Sequence, residues 1–161
     1  MSDDNGATKV AELIKDVRIA MLTHTDHNGA MVSHPMGTQE VEFDGDVLFI
    51  AERDSQKAKD IAAQSPAKVN VSYSSSGTWV SVSGTAEIVD DNAKLRELWN
   101  SFTGAWLEGG PENPNNIIIK VHADSAEYWD SPGAKVVQLA NFVKAKVTGN
   151  RVEGDNEVVD L

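Results

Sequence analysis

Ser55, Gln56 and Lys57 are the residues most suited by type and spacing to hold a ligand. They follow an apolar run, Val47 to Ala51, and open a helical segment. The first N–H groups of a helix lack internal partners and sit at the positive end of its dipole. A serine hydroxyl and a lysine at that point add a hydrogen bond and a full charge. The chemistry this suggests is anion binding, with a phosphate at Ser55 and Lys57 and the rest of the ligand along a β-sheet. A second reading of the same residues is a plain Ser55 N-cap followed by a solvated Lys57.

The histidines, His24, His27, His34 and His122, show no H-x-H or H-E-x-x-H spacing, so no metal site is expected from them. No G-x-S-x-G elbow, G-x-G-x-x-G fingerprint or Walker sequence occurs, and no catalytic acid or base is assigned. Trp79, Trp106 and Trp129 stand at strand or loop edges, where aromatic rings cover planar ligands, fill interfaces or simply pack. Trp99 lies at core spacing on its helix.

The elements that must position these residues follow from periodicity. Thr8 to Val17 reads as a helix capped by Thr8, with Val10, Leu13, Ile14 and Val17 on one face. Strands are expected at 18–25, 30–43 and 46–52, the first two joined by an Asn28-Gly29 hairpin. Ser55 to Gln64 is a short helix. Ala67 to Ser74 and Thr78 to Val89 alternate apolar and polar residues and read as strands, with Gly84 marking a bulge or a close backbone approach. Asp90 to Phe102 reads as one helix, and 117–121 and 126–129 as two further strands. Val136, Leu139, Val143 and Val147 predict an amphipathic helix over 135–147. Residues 1–7 and the acidic segment 150–161 are expected to be a disordered lead and tail around one domain at 8–149. Strands joined by turns rather than helical crossovers predict a mainly β fold, an antiparallel barrel with peripheral helices.

Composition narrows the function classes. The chain has 161 residues, 40% of them hydrophobic, and a net charge of −11. That field disfavours DNA and anionic lipid, so neither nucleic acid nor membrane is an expected partner. No apolar run approaches the ~20 residues of a bilayer span. The absence of cysteine excludes disulfides and thiolate chemistry and fits a cytoplasmic location. The polar, acidic N-terminus does not read as a signal peptide.

Several runs together carry a resemblance. They are Ile19-Ala-Met-Leu-Thr, Ser33-His-Pro-Met, Val41-Glu-Phe-Asp-Gly-Asp, Asp54-Ser-Gln-Lys-Ala and Val80-Ser-Val-Ser-Gly-Thr-Ala-Glu. In this order the chain resembles the pyridoxamine 5'-phosphate oxidase-like flavoproteins. Glu127-Tyr-Trp-Asp-Ser-Pro is similar to the general stress protein 26 branch. The resemblance implies an FMN-binding split β-barrel that works as a homodimer, with flavin at the subunit interface. It implies phosphate contacts at Ser55, Gln56 and Lys57, and ribityl and ring contacts along His34, Pro35, Met36 and Thr38. Phe49, Ile50 and Ala51 would line the adjoining strand. Trp79 and Trp129, with Trp106 a weaker candidate, would reach the flavin from the partner subunit.

Two departures bear on affinity. His34 and Gln56 stand where the resemblance implies arginines, which removes bidentate charge-assisted contacts. The basic C-terminal substrate clamp of the oxidase is also missing, so oxidase activity on pyridoxamine 5'-phosphate is not expected. The implied function is a flavin-dependent oxidoreductase of the stress-protein type. The alternatives are a flavin carrier or sensor, or a haem-binding relative using His24, His34 or His122.

Overall fold

In the computed structural model, which describes residues 4–64, 66–131 and 155–161, seven strands form one antiparallel sheet. Helix α1 (Asp4–Ile14) leads into β1 (Ile19–Thr25), β2 (Met31–Gly37) and β3 (Asp46–Glu52). Helix α2 (Gln56–Ala63) precedes the long hairpin of β4 (Ala67–Ser75) and β5 (Thr78–Val89). Helices α3 (Asn92–Leu98) and α4 (Ser101–Trp106) come next, then β6 (Asn116–Asp130) and β7 (Asp155–Asp160). The strand order is β2-β1-β4-β5-β6-β3, with β7 also paired to β6. β2 approaches β3 without pairing to it, so the curled sheet is consistent with a split barrel. The mainly β, antiparallel architecture with peripheral helices is the one expected from the alternation of β4 and β5.

Alternation places one side of every strand in the core. Leu22, Phe49, Val71, Val82, Ile119 and Val121 meet inside and are fully buried. Each such side chain contributes about 1.5–3 kcal/mol by leaving water. A smaller cluster forms outside the barrel, where Leu95 and Leu98 of α3 cover Ile118 and Trp99 packs beside them. Trp99 is thus a packing residue, as its spacing implies.

Five differences from the sequence expectation have physical causes. Helix α1 begins at Asp4 rather than Thr8, because it docks on β7: Gly6 lies so close that a Cβ there would be 2.7 Å from Val159 Cγ1. The acidic tail is not free over 155–160; it pairs with residues 125–130 of β6, and Val159 is buried. Strand β2 stops at Gly37, and the following segment crosses towards β3 as a loop. The helix expected over 90–102 is two helices, because Trp99 is extended and Asn100 caps α4 by accepting the Thr103 N–H at 3.0 Å. The two strands expected near the C-terminal side are one strand, β6, interrupted by a bulge. The helix expected over 135–147 lies outside the described residues.

At the bulge, Ser83 pairs with Ser125 and Gly84 with Ala123, leaving Asp124 as the extra residue. A Cβ at Gly84 would lie 2.0 Å from the His122 carbonyl oxygen. Both roles offered for Gly84 are therefore met. Nearby, the His122 ring sits between two carboxylates, with Nδ1 2.9 Å from Asp46 and Nε2 3.1 Å from Glu87. Those bonds hold its pKa above the usual histidine value.

Two outcomes are expected. Gly84→Ala destabilises the fold by more than about 2 kcal/mol in denaturant unfolding, because backbone must move to admit the methyl; a loss under half that removes the close-approach account. The His122 contribution is present in full below about pH 6.5 and is lost as pH rises through its raised folded pKa. Comparing wild type with His122→Gln, the advantage in melting temperature should be about 1–3 °C at pH 6 and vanish by pH 9, a small effect because the pair is half exposed. An advantage that grows with pH contradicts this.

Candidate functional site

Helix α2 starts where the sequence places it. Ser55 is its N-cap, with extended backbone (φ −65°, ψ 147°) and a side chain that accepts the Ala58 N–H at 3.4 Å. The Ser55 hydroxyl also donates to the Glu52 carbonyl at 2.6 Å. Its single proton is therefore committed to the Glu52 carbonyl. Gln56 turns along the helix, donating from Nε2 to Asp60 Oδ1 at 2.8 Å. Lys57 is half-buried, and among the described residues its ammonium has no acidic partner. The Gln56 and Lys57 amides lie in the first turn, where no intrahelical acceptor exists.

Strand β2 brings His34 beside this helix start. The Asn28-Gly29 hairpin fixes the register of β1 and β2, pairing His34 with Leu22 and Val32 with His24. His24 and His34 are then diagonal neighbours on one face. Their rings stack at 5.0 Å and 19°, with Nε2 atoms 3.0 Å apart. His24 is only 3% exposed, and its Nδ1 donates to the Thr25 carbonyl at 3.1 Å. Burial, with the Lys57 charge and the His24 ring, holds the His34 pKa below its usual value; Asp60 opposes this weakly.

Asp60 anchors the other side of the cluster. It is buried, accepts from Gln56, and lies 3.2 Å from His27 Nδ1. Burial pushes its pKa up, but the Gln56 hydrogen bond and the His27 and His24 rings together bring it below the usual carboxylate value. Asp60 and the His24–His34 pairing were missed at the sequence level. The hairpin register carried the signal for the pair, and the i, i+4 spacing of Gln56 and Asp60 carried the other.

The remaining predicted residues divide by location. Phe49 has 0% exposure and Met36 and Ala51 are also buried, so their side chains belong to the core and only backbone can meet a ligand there. Ile50 packs on the α3 cluster. The Thr38 hydroxyl and amide are held by the carbonyls of Val17 (2.5 Å) and Arg18 (2.9 Å). Pro35 is exposed. Trp79 and Trp129 are cross-strand partners on β5 and β6, 47% and 41% exposed. They lie on the outer side of the sheet, away from the face that carries His34. Trp106 is elsewhere, 74% exposed on α4 with its ring tilted against Phe102.

A cavity of about 610 Å³ lies between α1 and the β2–β3 loop and shares only Thr38 with the predicted set. Lys57 and His34 do not line this cavity. Among the described residues, no group of three or more His, Cys, Asp or Glu is placed to hold a metal ion. As haem ligands, His24 would give up a bond at one of its ring nitrogens and His122 its bond to Asp46 or Glu87, whereas His34 is bonded only at Nε2. Among the described residues, no helix is long and apolar enough to cross a membrane.

Comparison with known proteins converges on one family. Residues 5–153 match the family model described as "Pyridoxamine 5'-phosphate oxidase like". Protein bli-3 of Neurospora crassa is 31% identical over 138 residues; the match covers 80% of this chain and 66% of that protein, just under two thirds of its length. Among solved structures, one from Jannaschia sp. CCS1, described as a general stress protein 26, superposes with a TM-score of 0.79 at 25% identity, covering 98% of this chain and 99% of that one. The general stress FMN/FAD binding protein of Xanthomonas citri gives 0.66 at 27% identity, covering 80% and 90%. The chain therefore belongs to the pyridoxamine 5'-phosphate oxidase like family, in its general stress protein 26 branch.

Proposed function

We propose that this chain binds FMN as a homodimer and acts as a flavin-dependent oxidoreductase. The observation that carries the reading is Lys57: a half-buried residue whose ammonium has no acidic partner among the described residues, at the start of a capped helix. A cation so placed favours a phosphate, which the first-turn amides of Gln56 and Lys57 also favour. The residues present fit a phosphate monoester, with fewer fixed charges than two arginines would supply. The Xanthomonas citri relative, described as binding FMN or FAD, lends the cofactor its identity.

When bound, the flavin supplies hydride chemistry through its N5. The chain's own residues bind and orient. Lys57 and the α2 amides hold the phosphate, and His34 and the backbone of β2 and β3 flank the ribityl chain. Ser55 acts indirectly, by fixing the helix start.

The two-subunit site is supported by the outer sheet face. Ile19, Met21, Trp79 and Trp129 are exposed there, between small polar residues such as Ser72 and Ser81. Large apolar side chains on one sheet face mark an interaction surface. A second copy covering this face would bury Trp79 and Trp129 between the subunits. A carrier or sensor with little turnover is the second reading, favoured by the commitment of Gln56 to Asp60 and the low proton affinity of His34.

The visible spectrum of purified protein, before and after FMN is added and excess removed, tests the cofactor. Retained flavin bands with quenched tryptophan fluorescence are expected; a colourless protein rejects the reading, and a Soret band replaces it with haem. Lys57→Met should weaken FMN binding by about 10- to 100-fold, the loss of one charge-assisted contact, and an unchanged affinity places the phosphate elsewhere. Reduction by NADH or NADPH, with reoxidation by an added acceptor, separates oxidoreductase from carrier. FMN should also shift sedimentation towards dimer by linkage. Trp129→Ala should reduce that shift, whereas a monomer with and without FMN ends the two-subunit site.

A further inference from the structure

We propose that His24 and His34 form one proton-accepting unit, in which buried His24 positions His34 so that an added proton emerges at His34 Nδ1 and becomes the second positive group, beside Lys57, for a bound phosphate. This deepens the phosphate site proposed above and rests on it.

The tautomers follow from the hydrogen bonds. The Thr25 carbonyl can only accept, so His24 carries its proton on Nδ1. With each ring holding one proton, His24 Nε2 is an acceptor, and the 3.0 Å contact requires His34 to donate from its own Nε2. His34 Nδ1 is then the bare nitrogen. A third proton added to the pair has one place that keeps every bond. Nδ1 of His34 takes it, and the proton between the two Nε2 atoms can sit on either ring. The charge is thereby shared with the buried ring, while the new N–H is on the outer one.

The groups facing His34 explain why this proton waits for a ligand. Partial burial disfavours its charged form, as do Lys57 and His24; among the described residues Asp60 on α2 is the acidic neighbour that opposes them, weakly. Asp60 is itself engaged by Gln56 and His27. A phosphate dianion beside Lys57 reverses that balance and favours the protonated ring. Binding then takes up a proton. The sign is fixed: relative to a variant without the His34 ring, affinity rises as pH falls from above the ligand-bound pKa towards the lower ligand-free one.

The experiment is nitrogen-detected NMR of the histidine rings in wild-type protein, with inorganic phosphate and FMN as separate probes, joined to FMN titrations of wild type, His34→Gln and His24→Gln. In free wild type His34 should be neutral with its proton on Nε2, and saturating FMN should add a proton at Nδ1. The ratio of wild-type to His34→Gln affinity should rise at least about threefold from pH 8 to pH 6, a comparison that cancels the titration of the phosphate itself. His24→Gln should return most of that pH dependence while His34 is still present. A free His34 protonated on Nδ1 alone overturns the proposal, and wild type supplies this result whether or not His24→Gln folds. Binding of either probe without proton gain at His34 also overturns it, as does failure to bind both. Proton uptake with inorganic phosphate but no binding of FMN supports the histidine unit and rejects the flavin reading.

Discussion

The extra residue in β6 at Asp124 is the constraint on which the barrel depends. Before it, residues 116–122 pair with β3; after it, residues 125–130 pair with β7; β5 runs along both halves. The bend is held on each side. Ala123 donates its amide to Gly45 at the entry of β3, and the Asp124 carbonyl accepts from Leu161 beyond the end of β7. A bulge adds twist and redirects a strand, as closing a sheet requires. Gly84 is the residue that lets the opposite strand stay close, since any side chain there meets the His122 carbonyl.

The start of β6 also fixes where α2 begins. Strand β3 ends at Glu52, and the link to α2 is tied to the start of β6. Arg53 donates its amide to the Asn115 carbonyl at 2.6 Å, and the Asp54 amide donates to Asn115 Oδ1 at 3.1 Å. Asn115 also donates from Nδ2 to Asp54, and the Arg53 side chain pairs with Asp90. With both ends of the link fixed, the helix start is presented to the open edge of β2, where His34 stands. A chain of net charge −11 has no long-range attraction for an anion. Charges beyond about 8–10 Å are largely screened at physiological salt, so the phosphate binding proposed above would rest on groups within the first turn of α2 and its neighbours. Rigid placement of Lys57 therefore matters more than total charge.

The parts legible in the sequence were those set by local rules. Alternation gave β4 and β5, the Asn28-Gly29 turn gave the first hairpin, and Ser55 gave the helix start. The parts not legible depend on distant pairing. The segment Asp155 to Asp160 is acidic and short, and only its partner in β6 makes it a strand. Gly6 reads as a flexible lead residue until Val159 is packed on it. At the site, the position of Lys57 was legible and the fate of Gln56 was not. Four residues on, Asp60 is buried and captures its amide. Of the two sequence readings of Ser55, the structure shows the N-cap. Its hydroxyl accepts at the helix start while its proton goes to the Glu52 carbonyl, which leaves no proton for an anion.

The substitution of a histidine pair for a fixed cation follows a recognisable electrostatic logic. A guanidinium at position 34 would remain charged at every working pH, half-buried against the Lys57 ammonium, and its charge would need a partner whenever no anion was present. His34 lessens that conflict, because burial and Lys57 lower its pKa and so disfavour its charged form. The cost is a weaker resting field at the proposed phosphate site. The compensation lies in His24, whose bond to the Thr25 carbonyl fixes which nitrogen of His34 is bare. Orientation that an arginine fork would supply through its own geometry is supplied here by a second ring behind the first.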